Sequence, residues 1–141
     1  MKGSEFFSQT VTVYNWMDAR EGERWEAVVL TGVCWQEQYA RKLGGKATPS
    51  AEETGAGKLY IPFDVKSGKK VYCPPELFGK LGEEAAAWTL RPGDVVCKGE
   101  GPLECEGSPL RMLAGKGGYT VTAVAVHDAP ENLAHWEVTV Q

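Results

Sequence analysis

Alternation with a period of two dominates this chain, and it predicts short strands. In QTVTVYNW (Gln9–Trp16), Val11 and Val13 face one way and Thr10 and Thr12 the other, the pattern of a half-buried strand. RWEAVVLTGVCWQEQYARK (Arg24–Lys42) is rich in β-branched and aromatic residues, and Gly32 within it predicts a bulge, a bend or a break between two strands. LYIPFDV (Leu59–Val65) and KKVYC (Lys69–Cys73) flank KSG and read as a hairpin, with Pro62 at an edge or bulge. WTLRPGDVVCKGE (Trp88–Glu100) reads as strand, Pro-Gly turn, strand. YTVTAVAV (Tyr119–Val126) and HWEVTV (His135–Val140) are the clearest strands of all.

Helix signals are few. PPELFGKLGEEAAAW (Pro74–Trp88) opens on prolines suited to a first helical turn, and Gly79 and Gly82 limit it to one or two short pieces. Ser108 is placed to cap a single turn over Pro109–Leu113. LGGKATPSAEETGAGK (Leu43–Lys58) has no large apolar residue after Leu43, so it buries too little to offset its ordering entropy and reads as a long mobile loop. Loops of this length in small domains commonly have a task. Gly44, Gly45, Lys46, Glu52, Glu53, Gly55, Gly57 and Lys58 are therefore the candidate assembly residues. The expectation is one all-β domain over residues 1–141, a small barrel or sandwich of about seven to nine short strands. One or two short helices, the mobile loop and a flexible stretch over residues 1–8 complete it.

Composition narrows the function classes. The 141 residues are 43% hydrophobic and 24% charged, ordinary for a globular chain, and 17 glycines and 8 prolines fit many turns. A net charge of −4 with no basic stripe argues against tight, sequence-specific nucleic-acid binding. No apolar run is long enough for a membrane helix, and the start lacks a signal core. Cys34, Cys73, Cys97 and Cys105 form no Cys-x-x-Cys pair, so free thiols are expected, with no metal and no cofactor.

The two histidines bracket the last loop. Strand parity places Tyr119, Val121, Ala123, Ala125 and His127 on the inward face, and sets His135 outward with Glu137 and Thr139 while Trp136 points in. The two rings are thus expected on opposite sides of the sheet, which disfavours a shared metal unless a bulge breaks the parity. GGK (Gly44–Lys46) and GAGK (Gly55–Lys58) lack the remaining residues of a phosphate loop. Glu83 and Glu84 read as a solvated helix face. The five tryptophans, Trp16, Trp25, Trp35, Trp88 and Trp136, read first as core or subunit-interface residues and only second as a stacking platform.

The order of TVTVYN, TGVCW, KLYIPF, WTLRPGDVVCKGE, YTVTAVAVHD and AHWEV resembles a family of small minor structural proteins from phages and prophages of Gram-positive bacteria. GPLECEG departs from the plainer polar link usual there. The resemblance implies a non-enzymatic head-closure, or stopper, subunit, or a related minor capsid or tail-joining part. Such a subunit forms rings with copies of itself against portal, adaptor and tail-joining proteins. It implies assembly in the host cytoplasm, a place at the virion head–tail junction, and no catalytic residue. Two other classes stay in view: an OB-like module binding oligosaccharide or nucleic acid, and a small hydrolase using a Cys–His pair.

Overall fold

A computed structural model describes residues 7–19, 22–37, 57–81, 86–105, 107–113, 117–128 and 134–141. Among the described residues there are eight strands: β1 (Gln9–Ala19), β2 (Gly22–Glu37), β3 (Gly57–Pro62), β4 (Val71–Tyr72), β5 (Ala87–Trp88), β6 (Val95–Lys98), β7 (Gly118–His127) and β8 (His135–Val140). Six of them close a barrel in the order β1-β2-β3-β8-β7-β6, every neighbouring pair antiparallel. Closure gives each of these strands a neighbour on both sides over part of its length. β4 and β5 form a separate parallel pair.

The interior follows from alternation. Val11 and Val13 of β1 meet Leu30 and Val28 of β2, and Leu59, Ile61, Val96, Val121, Trp136, Val138 and Val140 complete the inner wall. Each fully buried aliphatic side chain of this kind contributes roughly 1.5–3 kcal/mol. Gly32 is the extra residue of a bulge: Gln9 pairs with Val33 and Thr10 with Thr31, and Gly32 takes φ of 101°. The bulge changes the parity of β2, so Val28 and Leu30 before it and Val33 and Trp35 after it all point inward. Tyr72 and Trp88 of the small parallel pair meet the Trp136 ring, tilted and edge-on respectively, with centroids 4.4 and 5.7 Å away, and join the same core.

Several expectations are corrected. The segments either side of KSG do not form a hairpin, because β3 already has β2 on one side and β8 on the other. The second run supplies β4 instead, which pairs with β5. The presumed loop over residues 43–58 ends sooner, since Gly57 and Lys58 lie inside β3. The short helical piece expected at the diproline is present as α1 (Pro75–Phe78). From Val11 to Asn15, β1 is buried on both faces, for Thr12 and Tyr14 on the outer side are as inaccessible as Val11, Val13 and Asn15 on the inner.

The histidine parity is also corrected. β7 carries a second bulge, with Val121 opposite Val140 and Ala123 opposite Thr139, so Thr122 is the inserted residue. Beyond it, Val124 and Val126 share the face of Val138 and Trp136, and His127 turns outward beside His135. The two rings stack, centroids 4.8 Å apart. The Ser108 cap is as expected: its side chain accepts a bond from the Leu110 amide and opens α2 (Pro109–Met112). All four cysteines are free thiols.

Candidate functional site

The outer face of β6-β1-β2 is the unusual surface of this barrel. Outward positions normally meet water, but here they carry Tyr14, Val95 and Cys97, and farther along β1 and β2 the cross-strand pair Trp16 and Trp25. Leu113, Met112 and Cys105 from the irregular segment after β6 fold over the first three and make a second, smaller core. That cover is held by polar contacts from β1. The Tyr14 hydroxyl donates to the Pro102 carbonyl at 2.6 Å, and Thr12 Oγ1 donates to the Gly99 carbonyl at 2.8 Å while accepting from the Gly101 amide at 2.9 Å. Gly101 has to be glycine at this approach, since a Cβ there would stand 2.5 Å from the Tyr14 oxygen and 2.7 Å from the Cys97 sulfur.

Among the described residues, the cover reaches Trp25 but stops short of Trp16. Trp16 is 41% exposed. Trp16 and Trp25, with Arg91, Pro92, Gly93 and Asp94, line a pocket of about 300 Å³. The second wall is a Pro-Gly turn in which Asp94 N donates to the Arg91 carbonyl at 3.2 Å and Gly93 takes φ of 98°.

A buried polar network fixes that turn against β1. Asn15 Nδ2 donates to Asp94 Oδ2 and to the Thr89 carbonyl, both at 2.8 Å, and the Thr89 amide returns a bond to Asn15 Oδ1. The Trp16 amide donates to Asp94 Oδ1 at 3.1 Å. Arg91 Nε lies 3.3 Å from Asp94 Oδ2, its Nη2 donates to the Trp16 carbonyl, and the guanidinium sits over the Phe78 ring of α1. Burial pushes the Asp94 carboxyl above its ordinary value, against the opposing pull of the Trp16 amide and Arg91. The pocket's two charged groups are therefore engaged with each other and with β1. The pocket presents indole, proline ring and glycine backbone beside the Arg91–Asp94 pair, a mainly apolar surface with a polar margin.

Residues 6–141 match the Family of unknown function (DUF6751). The chain belongs to the DUF6751 family. No curated protein and no solved structure matches it.

The opposite side of the barrel is polar. There, on β3, β8 and β7, Glu137 lies 3.0 Å from Lys58 Nζ and 2.9 Å from His127 Nε2, and Lys58 Nζ also donates to Thr139 Oγ1 at 3.1 Å. The hydrogen bonds from Lys58 and then His127 hold the Glu137 carboxyl below its usual range. Of the eight candidate loop residues, Gly57 and Lys58 are thus strand residues facing β8. Gly44, Gly45, Lys46, Glu52, Glu53 and Gly55 lie outside the described residues.

Burial pushes the thiols of Cys34, Cys97 and Cys105 up, and pushes the Tyr14 phenol up beside Cys97 and Cys105. Among the described residues, no group of three or more His, Cys, Asp and Glu could hold a metal ion. Among them, no helix is long and apolar enough to cross a membrane. Sequence reasoning named both pocket tryptophans as interface candidates but did not find their partner turn. The available signal was RPGD, read only as a turn, and its Arg and Asp reach β1 across more than seventy residues.

Proposed function

We propose that this chain is a non-enzymatic structural subunit of the head–tail junction of a phage or prophage, a head-closure (stopper) component or a close counterpart. The observation that carries the reading is the adhesive outer face of a closed barrel: two tryptophans and a rigidly held Pro-Gly turn form an apolar pocket whose charged groups are engaged internally. A ring subunit needs a barrel that keeps its own strands paired and offers a preformed apolar contact to its neighbours. The ordered segments from TVTVYN to AHWEV support the same reading. Its partners are then neighbouring copies of itself and the portal, adaptor and tail-joining proteins of the same particle. It assembles in the host cytoplasm and ends at the virion junction. A net charge of −4 suits a ring through which DNA passes without sticking.

The alternatives find less support. Sugars and nucleotides are held by free donors and acceptors beside aromatic faces. Here Arg91 and Asp94 are already committed. A Cys–His nucleophile needs a depressed thiol, and burial moves three of the four thiols the other way.

Deletion of the gene from an inducible lysogen tests the proposal. Electron microscopy is expected to show heads and tails that fail to join, with DNA lost from the heads, and restoration by the chain supplied in trans. Normal tailed particles in the deletion strain would refute it.

A further inference from the structure

The carboxylate that fastens the Pro-Gly turn is met by donors alone. Asp94 Oδ1 accepts from the Trp16 amide at 3.1 Å and faces Arg91 Nη2 at 3.4 Å, while Oδ2 accepts from Asn15 Nδ2 at 2.8 Å and faces Arg91 Nε at 3.3 Å. The side chain is buried, so an acid proton added to either oxygen meets a donor and has to displace it. Two of the donors are fixed. The Trp16 amide is backbone of β1, and Asn15 is held at both ends by Thr89, whose carbonyl accepts from Nδ2 and whose amide donates to Oδ1. Arg91 is not fixed in this way. Its contacts with the carboxylate are the longest of the set, and its side chain is 23% exposed at the pocket.

We propose that protonation of Asp94 releases the Arg91 guanidinium from the wall of the Trp16–Trp25 pocket, so that the turn works as an acid-sensitive clasp. With the carboxylate discharged, Arg91 keeps only the Trp16 carbonyl and the face of the Phe78 ring, and neither balances its charge. The guanidinium turns to water, and water from the pocket side accepts the acid proton. The surroundings leave the event to this pair. Asp94 is faced by Asn15 and the Trp16 amide from β1, by Trp25 of β2 across the pocket, and by the Val121 backbone from β7; Thr89 reaches it through Asn15 and Phe78 of α1 through Arg91. Among the described residues, Arg91 is the charged group that acts on it. Burial raises the Asp94 carboxyl from 3.8, which places the release above that pH. The pocket is then mainly apolar, with its cation sealed, in the neutral form, and offers a free guanidinium beside two indoles in the acid form. This holds whatever the place of the chain in a particle.

Nitrogen-15 spectra of the full chain test the clasp, with the Arg91 Nε–H signal assigned by its loss in Arg91→Lys. At about pH 6.5 that proton is expected to exchange at least about tenfold more slowly than those of exposed arginines. On acidification toward about pH 3 it should move to the exposed position in one transition with a midpoint above 3.8, while the backbone signals of β8 persist. Asp94→Asn, whose amide cannot accept on both sides, should show the exposed position already at about pH 6.5. If that variant does not fold, the wild-type titration decides alone. A protected Arg91 signal in the folded wild type down to about pH 3, or up to the point of unfolding, would overturn the proposal. So would a protected signal in folded Asp94→Asn.

Discussion

The outer faces centred on β1 and on β8 lie on opposite sides of the same six-stranded ring, and they solve the outward half of the strand pattern differently. Around β8 the outward positions are Lys58, Glu137, His127, His135 and Thr139, which pair with one another at the surface. Around β1 they are Tyr14, Val95, Cys97, Trp16 and Trp25, and a later segment of chain covers the first three. An alternating strand buries one face by its own pattern; whether the other stays wet depends on what the rest of the chain lays over it. Thr12 and Asn15, polar residues that would ordinarily mark the wet face or a strand end, are buried here because each has a specific backbone partner. The result is an apolar, partly covered strip on one side and a solvated, ion-paired strip on the other.

Truncation at matched outward positions tests that contrast with the largest effect. Tyr14→Ala removes a fully buried ring from the covered face and leaves the Pro102 carbonyl without its donor. It is expected to cost about 3–5 kcal/mol in a denaturant titration. His127→Ala, at a side chain 46% exposed on the other face, is expected to stay within about 0.5 kcal/mol of wild type. Comparable losses in the two variants would abolish the distinction. Gly101→Ala sharpens the same point from the covering segment. The added methyl has no room between the Tyr14 oxygen and the Cys97 sulfur, so a loss of about 2–3 kcal/mol is expected, at the upper end of overpacking. A neutral result would mean that the segment lifts away easily.

Part of this was legible in the residues. The strands of β1, β2, β7 and β8 follow from alternation, Gly32 marks its bulge because only glycine takes that backbone turn cheaply, and Ser108 before Pro109 marks α2. The bulge at Thr122 has no such marker. Both faces of β7 offer small or apolar residues, Val121, Ala123 and Ala125 against Val124 and Val126, so either frame fits the core and the inward placement of His127 followed the wrong one. The pocket was hidden for another reason. Its walls come from residues 16, 25 and 91–94, and what joins them is the Asn15–Asp94 hydrogen bond, a pairing that no local pattern encodes. The KSG segment misled because it has local hairpin chemistry, whereas β3 had no free edge left to offer.

Two carboxyl groups carry the comparison into pH. Asp94 is buried and its value is raised from 3.8, chiefly by loss of solvent. The folded state therefore holds that proton more tightly than the unfolded chain, and stability falls as pH rises from 3.8 through the folded value. Asp94→Asn removes this slope, and it also weakens the bonds from the Trp16 amide and Arg91. A net cost of about 1–2 kcal/mol at neutral pH is expected, larger at acid pH, where the wild type gains the stability of its retained proton and the variant does not, from thermal melts across the range. A variant whose cost shrank toward acid would reverse the assignment.

Glu137 has the opposite sign and the smallest magnitude. Its value is lowered from 4.5 by the hydrogen bonds from Lys58 and His127, so the folded state favours the ionised carboxylate. Its contribution is present in full above 4.5 and is lost as pH falls through the folded value. The side chain is 24% exposed, and ion pairs that water and salt reach are worth little, so Glu137→Gln is expected to cost under about 1 kcal/mol at neutral pH. The gap between wild type and variant should narrow on acidification, since the protonated acid and the amide then make similar contacts. It should also narrow in high salt, where the Lys58 pair is screened. Thermal melts of wild type and variant over one salt series read the effect, and a gap that stayed constant would show that the β8 face does not rest on its ion pairs.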